Sequence, residues 1–302
     1  MPKVNYTSAK GLFQDTGAGI RLLQEASSTN VFSTTGLLIG RDASNVDPFA
    51  VGTTTALFPV GTRLMYGDRE YRYAKAGGTL VAGTLCQSAA TVAAHSDKKI
   101  ANLDAGTLAA VTFTDTRSAI AVAHNPAAGS RAVCAGNMGS DLALNQYAEG
   151  YMVIRDAQGE GYALKIRTHE ALDTADRANC VIETYDPVQV TLVKNASEIT
   201  LVHNPYTGVI IAPGTETAAI AGVAVKPLTN GQFGWLQVRG PAAVRGGGAV
   251  EVGYKVIRDE SDGNGGVVQA TNADAGAEGQ VIGAAMDSMV DGEFSMVMLN
   301  IV

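Results

Sequence analysis

Four histidines and three cysteines are the side chains of this sequence best suited to catalysis or metal binding, and their spacing decides what they can do. His95, His124, His169 and His203 never form HxH or HExxH, the spacings that set two imidazoles beside one metal ion. His169-Glu170 lacks a second histidine four positions after the first. His124 and His203 each open a His-Asn-Pro turn, where the ring can bond locally and proline ends a strand. Both are expected to be turn or interface residues, with no metal and no cofactor. Cys86, Cys134 and Cys180 form no CxxC, and an odd number cannot pair completely within one chain. They read as small buried hydrophobes of a protein made in a reducing cytoplasm. GxSxG is absent, and Cys134 with His124 has no third group to orient it as a nucleophile.

The remaining motifs fail in the same way. Arg245-Gly246-Gly247-Gly248 continues into Ala249-Val250, where a phosphate loop would place GK[ST]. Gly263-Asn264-Gly265-Gly266 follows Asp259, Glu260 and Asp262, whose charge repels phosphate. Both read as β-hairpin loops. Setting Gly263 at the sixth position of a calcium loop puts Arg258 at the first ligand position, where a cation cannot be coordinated. Glu149, Asp156 and Glu160 flank one aromatic strand and read as surface groups rather than the facing carboxylates of a glycosidase. Arg69 and Lys75 share one strand face while Arg72 shares the other with Glu70, so they form no basic stripe. The expectation is a protein without catalytic residues, not an enzyme.

The 302 residues carry 17% charged side chains against roughly 25% in an average domain, with 35 glycines and 6% aromatics. A net charge of -7 disfavours direct nucleic-acid binding, which needs concentrated basic surface. No apolar run approaches the length of a membrane span, and the first residues show no leader pattern, so no membrane contact is expected.

These residues must be positioned by β structure. Gly67-Asp68 is a turn between alternating runs at 62–66 and 69–75, which predicts a hairpin. Short apolar runs recur at 108–114, 119–123, 151–155, 162–167, 188–193, 199–202, 208–212, 220–225, 234–239, 250–257, 266–270, 280–285 and 294–301. Most are bounded by Gly, Asn-Pro or Asp-Pro. Only 140–147 and 169–178 read as short helices. The fold class is therefore mainly β, with two β-sandwich or barrel-like regions, an extended N-terminal arm and little helix. The arm spans 1–55, the first β region 56–184 and the second 185–302, with Tyr185-Asp186-Pro187 as the boundary signal.

An internal echo runs through the chain. Asn145 to Arg155 resembles Asn230 to Arg239, each a polar turn, an aromatic, a glycine, a second aromatic, aliphatics and an arginine. With the two His-Asn-Pro turns, this suggests two diverged copies of one β unit. Tyr147, Tyr151, Phe233 and Trp235 are a large share of a sparse aromatic supply. They are the candidate interface residues, with ordinary core as the competing reading.

The segments FPVGTRLMYGDREYRYAKAGGTLVAGTLCQSA (58–89), NQYAEGYMVIRDAQGEGYALKIRTH (145–169), LVHNPYTGVI (201–210) and NGQFGWLQVRGP (230–241) resemble a family of virion structural proteins of tailed bacteriophages, particularly marine and cyanobacterial ones. The resemblance implies a capsid decoration (cement) protein on the outer capsid surface of the virion. Its implied partners are the major capsid protein and itself, as a homo-oligomer and most simply a trimer. Its implied role is capsid stability through protein–protein contacts. Two alternatives are a tail or receptor-binding structural protein and the major capsid protein itself. The latter would carry a long spine helix, for which the sequence offers no pattern.

Overall fold

The computed structural model describes residues 46–90, 92–101, 126–175, 179–261, 263–270 and 279–301, with the backbone of three earlier strands. In the unit Met1–Thr35, β1 (Val4–Thr7) pairs antiparallel with β2 (Gly11–Gln14). The unit Gly36–Val302 holds the other strands. It opens with β3 (Leu37–Ile39), β4 (Arg63–Tyr66), β5 (Arg69–Ala76) and β6 (Leu85–Gln87), which belong to a large sheet. It then builds a six-stranded sheet from β7 (Lys98–Lys99), β8 (Ala132–Ala135), β9 (Tyr151–Asp156), β10 (Ala163–His169), β11 (Cys180–Thr184) and β12 (Glu198–Val202). It returns to the large sheet with β13 (Thr207–Ile211), β14 (Ile220–Ala224), β15 (Phe233–Arg245), β16 (Lys255–Arg258), β17 (Val267–Gln269), β18 (Val281–Ala285) and β19 (Phe294–Asn300). Among the described residues the only helical turn is the 3-10 turn Ala93–His95. The chain is thus mainly β in two sheets, as the alternating runs require, and the hairpin of β4 and β5 turns at Gly67-Asp68.

The large sheet closes on itself twice. In the first ring β5 pairs with β13 in parallel, β13 with β6, β6 with β14, β14 with β15, and β15 back with β5, the last four antiparallel. In the second, Gly246, the residue after β15, makes a parallel bridge to Val267 of β17. There β17 pairs with β16, β16 with β18, β18 with β19, and β19 with β15, all antiparallel. The two rings have the same connectivity and the same strand directions. Strands β5, β6, β13, β14 and β15 of the first correspond to β15, β16, β17, β18 and β19 of the second. The 13 residues of β15 serve both rings, its first half closing one and its second half opening the next.

Each ring is locked by the same pair of turns. After a small residue at or just past the end of one strand, an apolar residue follows four positions later, a glycine three further on, and the next strand starts two beyond that. The quartets are Ala76-Leu80-Gly83-Leu85, Ala224-Leu228-Gly231-Phe233, Gly246-Val250-Gly253-Lys255 and Ala285-Met289-Gly292-Phe294. Leu80 and Leu228 exchange backbone hydrogen bonds, 2.8 and 3.1 Å, as do Val250 and Met289, 3.3 and 3.0 Å. The Gly83 N–H donates to Ala224 O and Gly231 N–H to Ala76 O; Gly253 N–H donates to Ala285 O and Gly292 N–H to Gly246 O. The four turn glycines have φ between 77° and 86°, the left-handed region that other residues enter at a cost.

The composition follows from this geometry. A ring of five strands has a narrow interior, which small side chains fill. The first interior holds Ala74, Ala76, Ala221 and Ala224 around Leu80, Leu228 and Leu236. The second is built on Val238, Val244, Val256, Val267 and Val297.

Residues 88–206 separate β6 from β13, whereas only 259–266 separate the corresponding β16 and β17. The six-stranded sheet is therefore an insertion into the first ring, with its own core of Ile100, Val133, Met152, Ile166, Ile182 and Leu201. Residues expected in the region 56–184 enter both sheets, and so do those of 185–302. Within the expected arm, β3 pairs in parallel with β4, Val46 is buried, and Thr53 exchanges two backbone bonds with Phe233. Apart from the backbone of β1, β2 and β3, residues 1–45 lie outside the described residues, as do the runs 108–114 and 119–123 and His124.

Three local expectations are corrected. Residues 140–147 and the described part of 169–178 are not helices. Leu142 and Leu172 instead exchange two backbone bonds of 2.9 Å, and Asp141 accepts from the Thr174 N–H and hydroxyl. Helical spacing in eight residues was outweighed by pairing between the two segments. Residues 188–193 form no strand, although Val188 and Leu192 are buried. The echo of 145–155 with 230–239 joins strands of different sheets. The repeat in the fold aligns 220–233 with 281–294, matching Gly222 to Gly283, Ala224 to Ala285, Gly231 to Gly292 and Phe233 to Phe294.

Candidate functional site: a sealed histidine cluster and an open apolar face

Three of the four histidines converge on one tyrosine in the inserted sheet. His95 leaves the 3-10 turn, His169 ends β10, and His203 follows β12. The Tyr147 hydroxyl shares a 2.6 Å hydrogen bond with His95 Nδ1, and Ser140 Oγ lies 2.8 Å from His95 Nε2. The Tyr147 N–H donates to His169 Nε2 at 2.9 Å, and the His203 ring stacks on Tyr147 at 4.2 Å. Because His169 Nε2 accepts, its proton sits on Nδ1, which lies 2.8 Å from the Glu170 carbonyl.

Burial lowers the pKa of all three histidines, opposed by a backbone bond to Ser140, Glu170 and Gln146 respectively. Mutual repulsion adds to the lowering, from Lys98 at His95, from His95 and His203 at His169, and from His95 at His203. The Tyr147 hydroxyl is pushed up to about 12 by burial. Tyr147, His95 and His169 are 0%, 1% and 0% exposed. General acid–base chemistry needs a substrate atom within hydrogen-bond reach, and the enclosed Tyr147, His95 and His169 offer none a path, while His203 is half-buried. The cluster ties four segments together. No group of three or more potential ligands among the described residues could hold a metal ion.

The cysteines are all buried, and the Cys86 thiol is pushed up to about 12 by desolvation, far from the thiolate range of a nucleophile. Arg72 and Glu70 do share a face of β5: Glu70 is held by Arg63 at 2.6 Å and Arg72 at 3.4 Å.

The four candidate interface aromatics are not one surface. Tyr147 lies in the inserted core and Tyr151, beside it in sequence, is exposed on β9. Trp235, 6% exposed, and half-buried Phe233 lie on the outer side of the first ring. There Tyr73 meets Trp235 at 5.0 Å and stacks on Phe233 at 5.9 Å, while Phe58 contacts Trp235 at 5.6 Å. Val46, Leu64 and Val225 complete this cover.

The corresponding side of the second ring is open. By register, Phe233 and Trp235 opposite Lys75 and Tyr73 correspond to Phe294 and Met296 opposite Arg245 and Ala243. Val225 corresponds to Met286, whose N–H donates to Met296 O. In the second ring Phe294 is 52% exposed, Met286 46%, Met298 43% and Met296 39%. Beside them opens a cavity of about 480 Å³ lined by Phe49, Gly83, Val225, Ala243, Phe294 and Met296. This is a contiguous apolar face of the kind that soluble chains reserve for partners. Its methionines suit it to adaptable contacts. The sequence carried the signal in the alternation of Phe294, Met296 and Met298, which read only as one more strand.

No protein family, curated protein or solved structure matches this chain.

Proposed function

We propose that the protein is a non-catalytic structural component of a bacteriophage virion, a decoration protein that stabilises the capsid through homo-oligomeric contacts with the shell. The observation that carries this reading is the uncovered Phe294–Met298 face, built at the position where the first ring needs a cover of aromatic residues. A chain whose histidine cluster is largely enclosed, and whose second ring presents apolar surface, suits a protein whose product is an interface. The motif resemblance across 58–89, 145–169, 201–210 and 230–241 supplies the virion context. A repeated lattice lets each weak contact act at high effective concentration, so no single interface need be tight. Threefold points of a shell favour a trimeric arrangement on that lattice.

The test compares particles with and without the protein under heat and low salt. Faster loss of packaged genome from the bare particles supports decoration. Equal resistance, with the protein's density found on the tail, replaces it with the tail reading.

A further inference from the structure

We infer that the open face of the second ring pairs with the same face of a second copy of this chain, about a local twofold axis. The inference rests on the reading of the protein as an assembly component.

Three observations lead to the second copy as occupant. The duplicated rings show what this sequence does with such a face: in the first ring the chain's own Val46 and Phe58 cover Trp235 and Phe233. The second ring presents equivalent positions, and there Phe294, Met286, Met298 and Met296 remain 39–52% exposed. The face also carries both a ridge and a hollow, the Phe294, Met296 and Met298 side chains beside a cavity of about 480 Å³. An isologous contact needs ridge and hollow on the same surface.

The third observation is charge. Acidic Asp287, Asp291 and Glu293, all exposed, border the Phe294 end of β19. Exposed Arg239 stands opposite Asn300 at the other end. Exposed Lys255, on β16, pairs across to Ala284. Arg245, opposite Phe294, also lies at the acidic end, and its guanidinium bonds the Asn264 carbonyl. A twofold axis lying between the two faces, parallel to the sheets and perpendicular to β19 near Met296 and Met298, exchanges the two ends of the strand. It therefore sets Arg239 of each copy against the acidic border of the other. A face-to-face pair of sheets about 10 Å apart then interdigitates Met286, Met296 and Met298.

The oligomeric state of the purified full chain tests this. Sedimentation velocity over a hundredfold concentration range is expected to show a reversible dimer that weakens as salt rises. Met296→Asp, at an exposed position, is expected to weaken the dimer about a hundredfold with the melting temperature unchanged. Arg239→Glu alone is expected to weaken it about tenfold, and adding Glu293→Arg to restore it. A monomer at every concentration, or a dimer indifferent to Met296→Asp in a folded variant, overturns the inference. So does a charge swap that fails to restore pairing, or a trimer without twofold symmetry. The decoration reading fails on a different measurement, the stability of bare particles, so the two can be told apart. A dimer from a protein that leaves particles unaffected would keep the contact and remove its setting.

Discussion

Trp235 and Met296 occupy the same register in the two rings, and truncating each to alanine separates the covered face from the open one. Trp235 packs edge-on against Tyr73 at 5.0 Å and tilted against Phe58 at 5.6 Å, with 6% of its surface exposed. Trp235→Ala removes a large buried ring and leaves a cavity, a change that costs about 3–5 kcal/mol. The two aromatic pairs, each about 0.5–1.5 kcal/mol, place the expected loss in the upper part of that range. Met296→Ala removes a side chain that is 39% exposed and is expected to change stability by less than about 1 kcal/mol in the monomer. Urea unfolding followed by circular dichroism measures both, since Trp235 is the only tryptophan and its fluorescence disappears with it. The wild-type emission should itself be blue-shifted and move red on unfolding. The reasoning is refuted if Trp235→Ala unfolds within about 1 kcal/mol of wild type, or if Met296→Ala costs as much as Trp235→Ala at concentrations where the chain is monomeric.

Other expectations are as specific. The buried neutral histidines bind fewer protons than their unfolded counterparts once pH falls below the ordinary histidine value near 6.5. Stability is therefore complete above about pH 7 and falls as pH drops through 6 toward 5, with proton uptake on unfolding. A melting temperature flat from pH 7.5 to 5 would sink this, and His169→Gln should flatten the acid limb at some cost in stability. Gly253, at φ 86° with open space beside its Cα, is expected to lose about 1 kcal/mol on change to Ala, less on change to Asn, and more to Val, read from chemical denaturation. The three buried cysteines should resist maleimide at pH 8 in the native protein and all react in denaturant; fast native labelling at Cys86 would contradict its enclosed thiol.

How far the fold was legible depends on what kind of signal each residue carried. Strand runs such as 151–155 and 220–225 were visible because alternation is a local property. Ring closure is not local. The bond from Gly231 N–H to Ala76 O joins residues that only the finished barrel brings together, and the parallel pairing of β13 on β5 spans the whole insertion. The true repeat was nonetheless written in the sequence as Ala224–Phe233 and Ala285–Phe294. The aromatic-glycine-aromatic pattern at Tyr147 and Tyr151 obscures it, although Gly150 there is required for a separate reason: a Cβ would collide with the Val202 carbonyl. The histidine cluster was invisible for another cause. His95, His169 and His203 are far apart in sequence, and only the six-stranded sheet gathers them round Tyr147.

The duplication also bears on why the chain leaves one face bare. Two rings that share β15 cannot be covered alike, because the chain approaches the first ring from residues 46–58 and enters the second directly from β15. Among the described residues none takes the part of Phe58 on the second ring, whose first strand is the shared wall β15. The second ring differs at the matching positions. Where the covered ring carries Trp235 and Tyr73, the open one carries Met296 and Ala243, smaller and more pliable groups that expose less aromatic surface. Phe294 alone was kept at the position of Phe233, and it lines the cavity. If the face served no contact, a polar residue at Phe294 would make the chain more soluble at little cost to its fold, since the side chain is 52% exposed. Phe294→Ser is thus expected to leave the monomer's unfolding free energy within about 1 kcal/mol of wild type while weakening assembly. Loss of fold stability beyond about 2 kcal/mol without loss of assembly would show that Phe294 is retained for the barrel and not for a partner.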